Sequence, residues 1–212
     1  MLQIFSDEPY HDIYGSFPPP FVADANGRPA HSWRVLILPQ LLDRDDLPLL
    51  GQYQFDEPWN SSHNLDVGRK INALEDFPYR CPSEDHQPDQ KPQPDETSYL
   101  AVIGPHTIWR PEQPVALREI VDGTSNTLSV VEVAQSGIHW LEPRDLHVQQ
   151  MSPRLNDWRG QGVRSSHENP GGRSAHAALC DGTVRMLDPE LSSEALKQLL
   201  IIDDGAPLRT SN

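Results

Sequence analysis

Four acidic or histidine side chains lie close together in the sequence and form the group best suited to chemistry. They are Glu132, His139, Glu142 and Asp145, with Arg144 among them. Carboxylates held near one another can act in general acid–base catalysis or bind a hard metal ion such as calcium. Ion pairing with Arg144 and exposure to solvent would explain the same residues without any site. The residue types favour this simpler interpretation over a cation site, and catalysis is the weakest of the three.

Two histidines near a Gly-Gly pair, His167 and His176, would suggest zinc if a third ligand lay elsewhere. Their nine-residue spacing matches no local ligand motif, and no CxxC pair supports a zinc site. We therefore expect surface histidines. The sequence also lacks a G-x-S-x-G nucleophile elbow and a phosphate-binding loop. It thus assigns no catalytic residue and no cofactor. Calcium binding stays an alternative.

The two cysteines, Cys81 and Cys180, do not belong to a metal-binding or redox motif. A free cysteine is among the most buried residue types, so both are predicted to be small core residues. A disulfide between them is the alternative.

Composition describes an acidic chain with long loops. The 212 residues carry 17 Lys+Arg against 31 Asp+Glu, a formal net charge of -14, and include 21 prolines. Phosphate binding needs a basic surface, so nucleic acid and anionic membranes are poor partners, whereas a divalent cation is compatible. The sequence contains no run of about 18 apolar residues, so it predicts no membrane span. The length fits a single domain, residues 1–212.

The clearest turn begins at Asp122 and leads into the clearest strand. Gly123 tolerates positive φ, and the short side chains that follow, ending at Asn126, can hydrogen-bond their own backbone. Residues 127–133 are rich in β-branched and apolar side chains, which predicts a largely buried strand.

A second turn, at Asp181 and Gly182, separates apolar runs at residues 175–180 and 183–187. Asp-Gly between two such runs predicts an antiparallel hairpin with a type I′ turn. Residues 97–103 and 117–121 are predicted to be strands that form a meander with 127–133. Residues 82–96 and 149–172 are predicted to be mobile loops, because their proline and polar content leaves little to bury.

Helices are predicted near both ends of the chain. Residues 31–42 carry a capping serine and an apolar stripe, which favours a helix kinked at Pro39 over a strand at 34–38 that ends there. Shorter helices are predicted at 64–74 and from Ser192 or Ser193 to residue 201. Helices at both ends with strands between them predict the α+β class, with an antiparallel sheet.

Short segments between residues 10 and 187 occur in an order that is specific to one family. They are YHDIYGSFPPPFV, HSWRVLILPQLL, FDEPWNSSHN, YRCPSED, TSYLAVIGPHT, IVDGTSNTLSVVEVA, IHWLEPRDL and the stretch from PGG to CDGTVRML. In this order they resemble a large group of pilin-like proteins, abundant in planctomycetes, with a type IV prepilin leader and a C-terminal domain of unknown function. The resemblance implies a pilin-like fold, in which an N-terminal helix packs on an antiparallel sheet, related to the pseudopilins of type II secretion.

The resemblance also implies a role. It suggests a non-enzymatic structural or interaction head at the cell envelope, with other pilin-like subunits as partners. Such proteins usually begin with a leader and a hydrophobic helix, which the sequence as given lacks, so we expect a monomer in isolation; a chain complete as given would be cytoplasmic. The calcium of some major pseudopilins supports the alternative of a cation-binding module with an acidic site, and a hydrolase is the weakest alternative.

Overall fold

A five-stranded sheet lies at the centre of the molecule in the computed structural model, which describes residues 8–82, 93–169 and 172–205. The helices are α1 (Glu8–Tyr14), α2 (Trp33–Leu41), α3 (Leu47–Leu50), α4 (Ser62–Asn72) and α5 (Ser193–Leu200). The strands are β1 (Phe21–Ala23), β2 (Pro29–Ser32), β3 (Tyr99–Ile103), β4 (Leu128–Glu132), β5 (Leu146–His147), β6 (Glu168–Asn169), β7 (Gly172–Arg173), β8 (His176–Leu179) and β9 (Val184–Met186). This mixture confirms the predicted α+β class.

The strands of the central sheet follow the order β5-β3-β4-β8-β9. β4 lies in the middle, where Val130 is opposite Ala101 of β3 and Ala178 of β8. Antiparallel pairing, as predicted, joins β3, β4, β8 and β9. At the edge, β5 pairs parallel with β3, with Leu146 opposite Val102. The short strands β1 and β2 form a separate ribbon, as do β6 and β7.

Both faces of the sheet are covered, which is why β3 and β4 are buried along their whole length. Successive side chains of a strand point to opposite faces. Ala101 and Val130 therefore belong to one hydrophobic cluster, with residues of α2 and α4. Leu100 and Val131 belong to a second cluster, with residues of α5. The sheet thus separates two cores.

Aromatic rings dominate the core on the side of α2. The ring centroids of Trp33 and Trp109 are 4.9 Å apart, and those of Tyr79 and Trp140 are 5.8 Å apart. Aromatic pairs at such distances add to the stability that their buried area provides. This layer holds α2 against the sheet.

Serine caps begin three of the helices. The Ser32 side chain accepts the N–H of Arg34 at 3.2 Å, and α2 continues through Pro39 to Leu41, which confirms the predicted helix. α4 and α5, also predicted, begin after Ser61 and Ser192, whose hydroxyls accept backbone N–H groups at 3.0 and 3.1 Å. Each cap satisfies a donor that the first helical turn cannot use itself.

The turn at Asp122 has the predicted character. Gly123 has a φ of 93°, and the amide of Asn126 donates to the carbonyl oxygen of Asp122 at 3.1 Å. The Asp122 carboxylate also accepts the backbone N–H groups of Asp204 and Gly205 at 2.9 and 2.8 Å. The turn therefore also fixes the segment that follows α5.

β8 and β9 confirm the predicted hairpin, but its turn is not type I′. That type needs positive φ at both central residues, and here Gly182 has a φ of 80° while Asp181 does not have positive φ. The N–H of Leu179 donates to the carbonyl of Thr183 at 2.8 Å, which closes a loop one residue longer. Asp181 favours this longer turn because its carboxylate accepts the Thr183 N–H at 2.9 Å.

The predicted strand at residues 117–121 is wrong. A 3₁₀ helix occupies Leu117–Glu119, and the Glu119 carboxylate accepts the N–H of Ala116 at 2.9 Å. This local bond satisfies a backbone group that a strand would have paired with a neighbour. β3 therefore pairs directly with β4, without the middle strand of the expected meander.

The structure describes the two predicted loops only in part. Residues 83–92 of the loop at 82–96 lie outside the described residues. In the segment 149–172, Met151, Val163 and Arg164 are buried.

Cys81 and Cys180 are buried and are not joined by a disulfide, which confirms them as core thiols and excludes the disulfide alternative. Within the described part of the chain, every helix is too short or too polar to cross a bilayer.

Candidate functional site

The carboxylate of Glu132 is the centre of a buried polar site at the end of β4. Its side chain is 1% exposed. One oxygen, Oε1, accepts the Ser165 hydroxyl at 2.8 Å. The other, Oε2, accepts the backbone N–H of His176 at 2.8 Å and lies 3.2 Å from Nδ1 of the same residue. Strand pairing explains this contact, since Val131 lies opposite Ala177 and brings the start of β8 beside Glu132.

Cys81 and His167 complete the site from two other parts of the chain. The Cys81 sulfur lies 3.1 Å from Nε2 of His167, and the same nitrogen lies 3.8 Å from Oε1 of Glu132. One atom from each of these three residues falls within 4.8 Å of the other two. We call Cys81, Glu132 and His167 the Glu132 centre.

Backbone contacts hold the segments of the Glu132 centre in place. The N–H of Arg164 donates to the Glu132 carbonyl at 3.1 Å, so the chain leading to His167 runs along the end of β4. The His167 N–H donates to the Ser165 hydroxyl at 2.9 Å. On the other side, the Cys81 N–H donates to the hydroxyl of Ser98 at 2.8 Å. The three side chains are therefore positioned by the sheet and its two flanking segments.

The electrostatics of the site are dominated by one buried acid. Within the described residues, the groups that contact the Glu132 carboxylate are Ser165, His167 and His176, none of which is permanently positive. Burial lowers the pKa of His167, although the Glu132 charge opposes this effect. The lowered pKa favours the neutral His167 ring, which keeps a nitrogen lone pair. Thiol sulfur, carboxylate oxygen and imidazole nitrogen are all atoms that bind transition metals.

Asp145, one of the predicted site residues, lies apart from the Glu132 centre in a buried ion pair. Its carboxylate is 2.6 Å from the Arg34 guanidinium, and neither side chain is exposed. It also accepts the indole N–H of Trp33 at 3.2 Å and the backbone N–H of Ala101 at 2.8 Å. Burial raises the pKa of Asp145, and the Arg34 charge opposes that rise. The pair ties α2 to β3 and is structural.

The other two predicted residues, His139 and Glu142, lie together beside a surface groove. Glu142 pairs with Arg144 at 2.6 Å, as the simpler interpretation expected. His139 lies 4.0 Å from Asp95, and burial lowers the pKa of its ring. The four predicted residues therefore occupy three separate places. Among the described residues, Glu132 is the one of the four that lies in a cluster of three ligand-type side chains.

Sequence reasoning missed Cys81 as a site residue and expected surface positions for the two histidines. His167 and His176 are instead half-buried, with ring centroids 5.0 Å apart, and both face Glu132. A spacing rule cannot find this site, because its members come from separate segments that only strand pairing brings together. The one usable signal was the histidine pair itself.

Comparison with known proteins gives one result. Residues 8–106 match a family described as Protein of unknown function (DUF1559). This match includes Cys81 but ends before Glu132 and His167. No curated protein and no solved structure matches the chain. The pilin-like resemblance is not part of this match and stays a prediction.

Proposed function

We propose that this chain is the globular head of a pilin-like protein of the cell envelope, with a structural or interaction role and no catalytic activity. The observation that carries the proposal is the burial of Cys81 and Glu132, the thiol and the carboxylate of the Glu132 centre. Cys81 is 2% exposed, and Glu132 is completely buried. A nucleophile or base has to reach its substrate, and these side chains point into the protein.

Bonding within the protein also argues against catalysis. Both oxygens of Glu132 already accept hydrogen bonds, from Ser165 and from His176. The carboxylate of Asp145 is occupied by Arg34, Trp33 and Ala101. A general base needs a lone pair that a substrate proton can reach, and these carboxylates are buried. These acids are better suited to joining parts of the fold than to proton transfer.

The surface of α1 supports an interaction role. Ile13 and Tyr14, at the end of this N-terminal helix, are 64% and 62% exposed. Tyr10, one turn earlier, packs against the core, so the helix has one anchored face and one exposed apolar end. In the architecture that the resemblance implies, subunits pack together, and an exposed apolar helix end can take part in such a contact. We assign that contact to Ile13 and Tyr14.

Site-specific photo-crosslinking in the producing cells tests this proposal. A photoreactive amino acid at position 13 should give adducts with pilin-like subunits in the envelope fraction. The same amino acid at Glu194, which is exposed on α5, serves as the control and should give none. Equal crosslinking from both positions, or turnover of ester, phosphoester or glycoside substrates by the purified chain, would contradict the proposal.

A further inference from the structure

We propose that the Glu132 centre binds one divalent transition-metal ion of the zinc class through Cys81, Glu132 and His167. This inference goes beyond the structural role proposed above, and it stands whether or not the chain assembles with other subunits.

The donor atoms select the class of ion. The centre offers one sulfur, one imidazole nitrogen and one carboxylate oxygen. Calcium and magnesium prefer sets made only of oxygen, and calcium takes six to eight of them. Zinc is bound by this combination of sulfur, nitrogen and oxygen, usually with four ligands. The centre therefore fits zinc better than calcium, which the acidic composition left open as an alternative.

The distances between the donors suit one shared ion. Zinc bonds of about 2.0–2.3 Å at tetrahedral angles place neighbouring ligand atoms about 3.3–3.6 Å apart. The two measured separations, 3.1 Å from Cys81 Sγ to His167 Nε2 and 3.8 Å from that nitrogen to Glu132 Oε1, lie on either side of this range. Adjustments of a few tenths of an ångström would bring these two separations into the range, and the third, from Cys81 Sγ to the Glu132 carboxylate, is no more than 4.8 Å. Water can supply the fourth ligand.

Charge balance supports a divalent ion. A thiolate and a carboxylate together carry the charge that one divalent cation cancels. Burying a carboxylate without an opposite charge is costly, and within the described residues no Lys or Arg side chain contacts the buried Glu132 carboxylate. A bound ion would offset that cost and would also join β4 to the segments that carry Cys81 and His167.

Neighbouring groups already orient the ligands. The backbone N–H of His176 donates to Oε2 of Glu132 at 2.8 Å. The other oxygen, Oε1, accepts the Ser165 hydroxyl at 2.8 Å and keeps a second lone pair for an ion beside His167. Outer contacts of this kind fix metal ligands in known zinc sites. The rings of His167 and His176 are 28% and 31% exposed, so an ion can enter from the histidine side.

Zinc titration of the reduced chain, first stripped with a chelator, tests the proposal. Calorimetry with a competing chelator should give one zinc ion per chain. The variants Cys81→Ser and His167→Asn should each weaken binding by at least about 100-fold, because even outer contacts of zinc ligands contribute about 10–100-fold. Cys180→Ser, at the other buried thiol, is the matched control and should bind as the unmodified chain does. Cobalt should give a sulfur-to-metal absorption band that Cys180→Ser retains.

Three results of the titration would overturn the proposal: no zinc binding by the unmodified chain, equal affinity in all the variants, or calcium binding without zinc binding. The His167 ring is half-buried, so His167→Asn is expected to fold even if Cys81→Ser does not, and circular dichroism checks this. The cobalt band of the unmodified chain needs no substitution of a ligand. Its absence in a folded protein counts against the proposal.

Discussion

Replacing Arg34 by methionine should destabilise the fold severely. Methionine keeps much of the apolar stem but removes the charge that lies 2.6 Å from Asp145. It also removes the donors to the Tyr99 carbonyl oxygen, at 3.0 and 3.1 Å. Because both side chains of the pair are fully buried, the change leaves an unpaired carboxylate in the core. Breaking such a pair costs about 3–5 kcal/mol.

Denaturant unfolding followed by tryptophan fluorescence measures this loss, since Trp33 and Trp109 lie in the same layer. In a chain of this size, each kcal/mol of lost stability lowers the melting temperature by about 2–4 °C. In a parallel thermal experiment, the melting temperature should therefore fall by about 6–20 °C. The denaturant concentration at the unfolding midpoint should fall, while the slope of the unfolding free energy against denaturant concentration stays the same. A loss below about 1 kcal/mol, the range of surface pairs, would refute the claim that this ion pair holds α2 to the sheet.

Two further variants make the test specific. Arg69→Met removes an exposed pair with Asp66, and such pairs contribute about 0–1 kcal/mol. The double variant Arg34→Met, Asp145→Leu removes both charges and should cost less than the sum of the single changes, because no uncompensated charge remains. Additive losses would mean that the two side chains act independently.

Three more predictions concern the fold and its assembly. Burial lowers the pKa of His31 and His139 in the folded chain. In the unfolded chain these histidines take up protons as the pH falls through about 6.5, before they do so in the folded chain. The free energy of unfolding should therefore fall as the pH is lowered from 7.5 to 5.5, and a flat profile for unmodified protein would contradict this. Gly68→Ala should cost about 1–3 kcal/mol by overpacking, since its new methyl group would lie 2.6 Å from Leu141, whereas Gly160→Ala meets nothing within 4 Å and should be nearly neutral in thermal unfolding. The isolated chain should sediment as a monomer at micromolar concentration, because copies with a net charge of -14 repel one another at low salt; a stable oligomer at low and moderate salt would show that the head carries its own interface.

Local signals in the sequence were sufficient for several elements. The final helix was predictable because Ser192 caps it and its apolar stripe lies within the same few residues. The hairpin of β8 and β9 was predictable because Asp181 and Gly182 interrupt two apolar runs. In both cases the residues that decide the structure are neighbours in the chain.

Elements that depend on distant partners or competing local bonds were not predictable. The parallel edge formed by β5 depends on pairing with β3. In the sequence, β4 lies between these two strands. The segment at 117–121 has the composition of a strand, but a bond from Ala116 to the Glu119 carboxylate favours a 3₁₀ helix. The hairpin turn is longer than expected because the Asp181 side chain binds Thr183.

The candidate site shows the same division. Glu132 was identifiable as an acid at the end of a predicted strand. Its partners were not, because Cys81 and His167 reach it from separate segments. Asp145 had the residue type of a site, but its role depends on Arg34, which lies on another element. Residue type therefore indicated Glu132 but not its partners, and strand pairing decided which groups meet.

The convergence of Cys81, Glu132 and His167 on one point is tested most directly by X-ray absorption at the zinc edge, on chain loaded with one equivalent of zinc. The proposal predicts one sulfur neighbour at about 2.3 Å and nitrogen or oxygen neighbours at about 2.0–2.2 Å. The sulfur contribution should disappear in Cys81→Ser and persist in Cys180→Ser. A spectrum with no sulfur neighbour, or one that Cys81→Ser leaves unchanged, would contradict the proposed centre.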